Sequence, residues 1–342
     1  MSPQIEKKKR KPFNFYSITQ CALYKLTSPA KLSKVLVKTP ADIQKLLNSN
    51  NNYNEFVLPQ ETNPFSNKIT KSRAVQAPKE DLRSIHERIL KLLQKVTPPE
   101  YAHASIKKKS YRSNAMIHEG AREIATFDLK SFYSSTKSYL VHNFFTQELK
   151  CAGDVASILT KSTTLHGSVP TGSPLSPMLA LLAAKPMFNQ LEAIAKAHNL
   201  SFTCYVDDMT FSGEKIPNSL EHEVTSTVKK YGYRLSSQKT RIYKEKHKKI
   251  VTGTVILDRK IMVPNSRFIA VRRILQALDG KYDKCGFTDR ELLAKLAGIL
   301  NEASSLDPKF YSMALAANNS LKRFNQSAQL HSIQPQATLH SA

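Results

Sequence analysis

Three acidic residues stand where chemistry is easiest to build. Asp128 closes a short apolar run, Ile124-Ala125-Thr126-Phe127, that reads as a strand, and Asp207-Asp208 occupies a tight turn within the segment Ser201 to Gly213. Carboxylates at strand ends and turns are held rigidly while projecting from a sheet. Three of them together suit two magnesium ions, with manganese as a substitute, because such ions take hard oxygen ligands and share phosphate oxygens with a substrate. Gathering that much negative charge is costly unless cations occupy the site. The blander alternative is that Asp207-Asp208 is only a turn, as Asp pairs often are.

The surrounding pattern supplies elements that could position these groups. Leu82, Ile85, Ile89, Leu92, Leu93 and Val96 recur at helical spacing until Thr97-Pro98-Pro99 stops them. Ser176-Pro177 reads as the cap and first turn of a helix through Met178, Leu179, Leu181 and Leu182, which Pro186 should break. Ser201 to Gly213 reads as strand, acidic turn and returning strand, and a helix around Val224, Val228 and Tyr231 should end at Gly232. From about Asn265 the texture becomes purely helical: a stripe from Phe268 to Leu278 stopped by Gly280, a Thr288/Glu291 capping box, and a last helix near Tyr311 to Leu321 after Asp307-Pro308. Residues 45–68, rich in Asn, Pro and Gln, read as a long loop, and the tail beyond Gln326 as frayed.

Composition bounds the partners. The 342 residues carry 51 Lys and Arg against 27 Asp and Glu, a net charge of +24. Such an excess predicts attraction to a polyanion, nucleic acid by default. No stretch approaches the roughly 18 apolar residues of a membrane span, so no membrane partner is expected. The run Lys7-Lys8-Lys9-Arg10-Lys11 reads as a mobile, phosphate-seeking arm and not as a signal peptide. Cys21, Cys151, Cys204 and Cys285 lie far apart, which suits neither zinc nor a disulfide framework; small buried thiols in a reducing cytoplasm are expected.

Taken together, Phe127-Asp128-Leu129-Lys130-Ser131-Phe132-Tyr133, Val169-Pro170-Thr171-Gly172-Ser173-Pro174-Leu175-Ser176-Pro177, Tyr205-Val206-Asp207-Asp208 and Lys239-Thr240 resemble, in order and spacing, the palm of a reverse transcriptase. Upstream, Lys71, Arg73 and Pro78 resemble its basic fingers segment. Asn114-Ala115-Met116-Ile117-His118 before the first catalytic strand and Val251-Thr252-Gly253 after the palm are similar to hallmarks of the retron-type bacterial enzymes.

The resemblance implies a right-hand α+β fold: a basic arm over 1–11, fingers over 12–125, an antiparallel-sheet palm over 126–262 and a helical RNA-binding thumb over 263–342. It implies an RNA-directed DNA polymerase of the bacterial cytoplasm that uses dNTPs. Its template and primer would be a structured non-coding RNA, copied in part into a branched RNA–DNA hybrid, in antiphage defence with an effector protein. Asp128, Asp207 and Asp208 would hold metal. Lys71 and Arg73 would clamp phosphates, Tyr133 would be a steric gate against the ribose 2′-hydroxyl, Gly172 would let backbone approach the nascent pair, and Lys239 could protonate pyrophosphate. Asn114, His118, Val251, Thr252 and Gly253 would contact RNA.

Each role has a structural alternative. Tyr133 could be a core aromatic, Lys239 a surface lysine, Asn114 and His118 loop-bonding groups, and Val251-Thr252-Gly253 a bulged strand. Thr171 departs from the family, which usually has Gln there; the shorter side chain cannot make the same nucleotide contact, while no metal ligand is lost. Two other functions stay open: a reverse transcriptase of another bacterial defence or mobile-element type, and an RNA-binding component whose polymerase site is idle.

Overall fold

The structure, a computed structural model, describes residues 14–258 and 260–333; the basic run at 7–11 lies outside the described residues. At its centre is an antiparallel four-stranded sheet in the order Ser201–Tyr205, Asp208–Gly213, Glu123–Asp128, Arg241–Tyr243. Register pairs Asp128 with Asp208 and Tyr205 with Asp208, so the acidic turn sits beside the end of the first strand. Phe127, Phe202 and Phe211 pack edge to face and tilted beneath that end, with Phe202 and Phe211 centroids 4.8 Å apart. Aromatic pairs of this kind fix orientation as well as burying area.

Helices Ser176–Ala183, Lys185–Ala197 and Leu220–Lys230 back the sheet. The break expected at Pro186 occurs, because proline opens the second of these helices at its first turn. Ser176 does not cap: it is the first helical residue, and its hydroxyl instead donates to the Pro170 carbonyl at 2.5 Å. Gly232 takes the left-handed conformation that ends Leu220–Lys230.

The loop expected over 45–68 is corrected. Strand Tyr53–Leu58 pairs antiparallel with Arg73–Pro78, and Glu61–Thr62 pairs with Ile69–Thr70, making one long hairpin arm with its tip at 63–68. The Asn-rich composition marks only the flanks of the strand, and alternation is absent because both faces of it are largely exposed. The arm's base rests on helix Glu80–Leu93.

After the sheet, Lys249–Val251, Thr254–Leu257 and Lys260–Met262 form a three-stranded meander. Helices Asn265–Leu278, Asp289–Leu306 and Tyr311–Ile333 follow. They enclose a second apolar core distinct from that of the sheet. The Thr288/Glu291 capping box forms as expected. The last helix runs to Ile333, past the expected fraying point, since nothing between Gln326 and Ile333 breaks a helix. The fold is therefore mixed α+β with a purely helical unit at the C-terminal end. Cys21, Cys151 and Cys204 are buried, while Cys285 is exposed, contrary to the expectation of four buried thiols. Among the described residues, no helix is long and apolar enough to cross a membrane.

Candidate active site

Asp128 ends the central strand and is buried, while Asp207 and Asp208 are half-buried in the adjoining turn. Carboxylate oxygens of the three lie within 4.8 Å of one another. Backbone bonds lock the arrangement: Leu129 N–H donates to the Asp207 carbonyl at 3.0 Å, and Ser236 N–H donates to the Asp128 carbonyl at 2.8 Å. The turn is a two-residue hairpin loop, Val206-Asp207. Val206 has φ +61°, the sign pattern of a type II′ turn, which ordinarily takes glycine there. A β-branched residue in that region costs on the order of 1–3 kcal/mol and persists where the surroundings over-determine it.

The electrostatics fit a cation site. Burial first, then the charges of Asp207 and Asp128, push Asp208 up to about 7. Burial and the Asp128 charge raise Asp207 as well, while Lys239 and Arg73 pull it back. Lys239 Nζ stands 2.5 Å from Asp128 Oδ2, and that hydrogen bond raises the lysine above its ordinary range. Three hard oxygen donors at this spacing can hold a divalent metal. They form the one such cluster of metal-ligating groups among the described residues.

The other expected site residues divide. Tyr133 lies half-buried against Phe132, and burial together with the Asp207 charge pushes its phenol up to about 12. It is therefore beside the triad. Arg73, on the arm, is close enough for its charge to be felt at Asp207, whereas Lys71 is exposed and makes no such contribution to the triad.

Gly172 lies against the arm. A Cβ there would meet Val75 Cγ1 at 2.7 Å and the Gln76 carbonyl carbon and oxygen at 2.8 Å. Its absent side chain admits the arm strand, to which Gly172 N–H donates (Gln76 carbonyl, 3.1 Å). Thr171, the departure from the family, donates its hydroxyl to the Ala74 carbonyl at 2.8 Å, so it joins the same seam.

The RNA contacts expected of Asn114, His118 and Val251 are also corrected, since all three are 0% exposed. His118 bonds Ser212 Oγ and Thr203 Oγ1, each at 2.7 Å, bridging the two strands that carry the acidic turn. Burial pushes it down to about 3, so it is a neutral strut. Asn114 donates to Thr252 Oγ1 at a long 3.5 Å, and Thr252 donates to the Tyr111 carbonyl at 3.3 Å. Thr252 and Gly253, with φ +46° and +79°, form a two-residue turn of type I′ character between paired strands, not a bulge. They alone of the five keep accessible surface.

Two contacts escaped the sequence. His86 joins Ser173 Oγ and the Ser162 carbonyl, both at 2.6 Å, under the Thr171–Gly172 seam. Phe65, a lone aromatic among turn residues in Asn-Pro-Phe-Ser-Asn, is buried in the helical core; that isolation was the available signal.

A reverse transcriptase (RNA-dependent DNA polymerase) family model matches residues 62–256, which contain the triad, the Thr171–Gly172 seam and Lys239. The Retron Se72 reverse transcriptase of Salmonella heidelberg is 28% identical over 251 residues, covering 70% of this chain and 66% of that protein. The Retron Ec86 reverse transcriptase of Escherichia coli is 27% identical over 203 residues, covering 58% and 63%. The Retron Mx65 reverse transcriptase of Myxococcus xanthus is 27% identical over 205 residues, covering 54% and 48%. Each match spans less than two thirds of the relative's own length. The chain is similar to retron reverse transcriptases, and on the family match, which takes in more than half of its residues and the whole acidic centre, it belongs to the reverse transcriptase family.

Proposed function

We propose that the protein is an RNA-directed DNA polymerase that copies part of a structured non-coding RNA into a branched RNA–DNA hybrid, in the bacterial cytoplasm and in antiphage defence with an effector protein. The observation that carries the polymerase reading is the triad of Asp128, Asp207 and Asp208, with Lys239 as its counter-charge. In this reading the arm and the elements up to residue 125 are fingers, 126–262 the palm and 263 onward the thumb.

Asp128, Asp207 and Asp208 would hold two magnesium ions, for which manganese can substitute. Bound metal there supplies activation of the primer hydroxyl and neutralisation of phosphate charge. The chain's own residues orient the reactants. Arg73 and Lys71 on the arm attract the triphosphate of the incoming dNTP. Tyr133 closes the space that a 2′-hydroxyl would need. Lys239 leaves Asp128 as cation charge arrives and is then free to offer its proton to the departing pyrophosphate. His118, Asn114 and Val251 hold the acidic hairpin and the Thr252-Gly253 turn in place, and Thr252 with Gly253 faces the RNA.

The similarity to retron enzymes motivates the RNA partner. Expression with the native flanking locus should yield a short DNA linked to RNA that debranching enzyme releases. If DNA synthesis on an annealed primer is intact but no branched species forms, the retron reading falls and a reverse transcriptase of another defence or mobile-element type replaces it. If neither occurs with the folded protein, the site is idle and the chain is an RNA-binding component.

A further inference from the structure

The hairpin arm does not end in solvent. Counting from Tyr53 to Thr62 it reaches roughly 30 Å, and its tip is seated in the C-terminal helical unit. Phe65 is 2% exposed, between the rings of Tyr282 and Phe287 at centroid distances of 6.2 and 5.9 Å. Arg273 donates to the Pro64 carbonyl at 3.3 Å, the Phe65 carbonyl at 3.2 Å and Asn67 Oδ1 at 2.8 Å. The Tyr282 hydroxyl adds a bond to the Pro64 carbonyl at 3.3 Å.

The tip is braced by its own hydrogen bonds. Asn63 Oδ1 accepts from the Phe65 and Ser66 amides at 3.1 and 2.9 Å, and Asn67 N–H closes the loop on the Asn63 carbonyl at 2.8 Å. One aromatic is thus presented outward by a loop that satisfies its own amides and leaves the Pro64 and Phe65 carbonyls to the helical unit. A self-bonded loop, a two-ring slot and a guanidinium whose Nη1 shares its two N–H groups among three acceptors make a built contact, since the Phe65 carbonyl and its neighbours would otherwise lose their partners.

The contact closes a ring. Thr171 and Gly172 stitch the arm's base to the turn that leads into helix Ser176–Ala183, which backs the central sheet. Phe65 joins the arm's tip to the helices, and the helices return to the sheet through the meander that ends at Met262. Lys68, at the tip, shares a cavity of about 600 Å³ with Tyr205 of the acidic hairpin, Thr252, Gly253 and Arg267. The tip of the bridge therefore faces the acidic hairpin and the Thr252-Gly253 turn across one cavity.

We infer that Phe65 and Arg273 form a latch between fingers and thumb that encircles the bound RNA–DNA hybrid and keeps the enzyme on its template. The inference rests on the polymerase reading above. Encirclement replaces dissociation in any direction by escape along the strand alone, so it acts on residence time and not on the chemical step. Deleting the buried ring should shift the open-to-closed ratio of the latch by at least about a hundredfold.

Two experiments decide it. Under single-encounter conditions with a trap, Phe65→Ala with Arg273→Ala should give products several-fold shorter while adding the first nucleotide at the parental rate. Parental product lengths would overturn the latch. The second experiment is topological. Ser66→Cys puts a thiol on the tip, Cys285 is already exposed beside the slot, and the other three cysteines are buried. A bismaleimide should bridge the pair both without nucleic acid and on a primed circular template, and the bridged protein should retain the circle through a denaturing wash while releasing a linear one. Failure to bridge, bridging only without the circle, or loss of the circle each overturns encirclement. Extension of the same circle by unbridged protein is read separately. Extension without capture sinks the latch alone, whereas no extension sinks the polymerase reading and the latch with it.

Discussion

Lys239 Nζ lies 2.5 Å from Asp128 Oδ2, so the chain itself supplies one positive charge against the acidic centre. Lys239 comes from a one-turn helix, Ser237–Lys239, whose start is tied to the same aspartate through the Ser236 amide. The counter-charge and the ligand are therefore positioned together. Its side chain is 60% exposed, so the pair can open when metal or phosphate competes.

Removing that charge should move the pH profile. Asp208 is already pushed up to about 7 by burial and two neighbouring carboxylates, and Lys239 opposes the rise. Lys239→Met should push it higher, so the deprotonated, metal-binding form is reached only at higher pH. The acidic limb of the extension rate should shift upward, measured from about pH 6 to 9 at fixed metal. An unchanged limb would mean that Lys239 is electrostatically irrelevant to the triad.

Asp207→Asn with Asp208→Asn should abolish metal-dependent primer extension on an RNA template while leaving RNA affinity in place. The pair carries the ligand oxygens and none of the basic surface. Extension assays beside RNA-binding titrations check this, and substantial extension by the folded double variant would sink the metal assignment.

Tyr133→Ala should admit ribonucleotides, because the half-buried phenol is near enough to feel the charge of Asp207 and its ring would be lost. Discrimination should fall by roughly a few kcal/mol at most, the scale of selection by steric fit. Competing dNTP and NTP incorporation measures it; equal ribonucleotide use by parent and variant would make Tyr133 a packing residue.

Gly172→Ala should loosen the arm from the turn that leads into helix Ser176–Ala183. The added methyl would press on backbone atoms of Gln76 at 2.8 Å, which cannot rotate away. Because Arg73 rides on the same strand, KM for dNTP should rise more than kcat falls. Steady-state extension separates the two, and parental KM would show that the seam does not set the nucleotide site.

His118 links stability to pH. Its folded pKa, about 3, is below the ordinary value of 6.5, so the unfolded chain binds more protons between these values. The stabilisation is present above pH 6.5 and is lost as pH falls toward 3, about 2 kcal/mol of it between pH 7 and 5. His118→Gln should lower stability at pH 7 yet remove that part of the acid loss. Denaturant unfolding at pH 7 and 5, parent against variant, tests it; identical pH dependence would refute the strut.

Much of the acidic centre was legible in the sequence because its geometry is local. A strand ending in Asp128 and a hairpin turning at Asp207-Asp208 each place their carboxylates by short-range backbone rules, and pairing in register does the rest. The helices and caps from Thr288 onward were legible for the same reason. Residue type likewise announced the net charge and therefore a polyanionic partner.

Contacts across long separations were decided only by the tertiary structure. Asn114 and His118 look like polar groups available to a ligand until the sheet buries them and hands His118 two hydroxyls, Ser212 and Thr203. Gly172 looks like room for a substrate until the arm strand occupies that room. Phe65 looks like a stray aromatic in a polar loop until Tyr282 and Phe287, more than two hundred residues away, close around it. A sequence fixes which groups exist and how near neighbours must turn. Whether a polar group faces solvent or a partner depends on which distant surfaces bury it, and burial is a property of the packed chain as a whole.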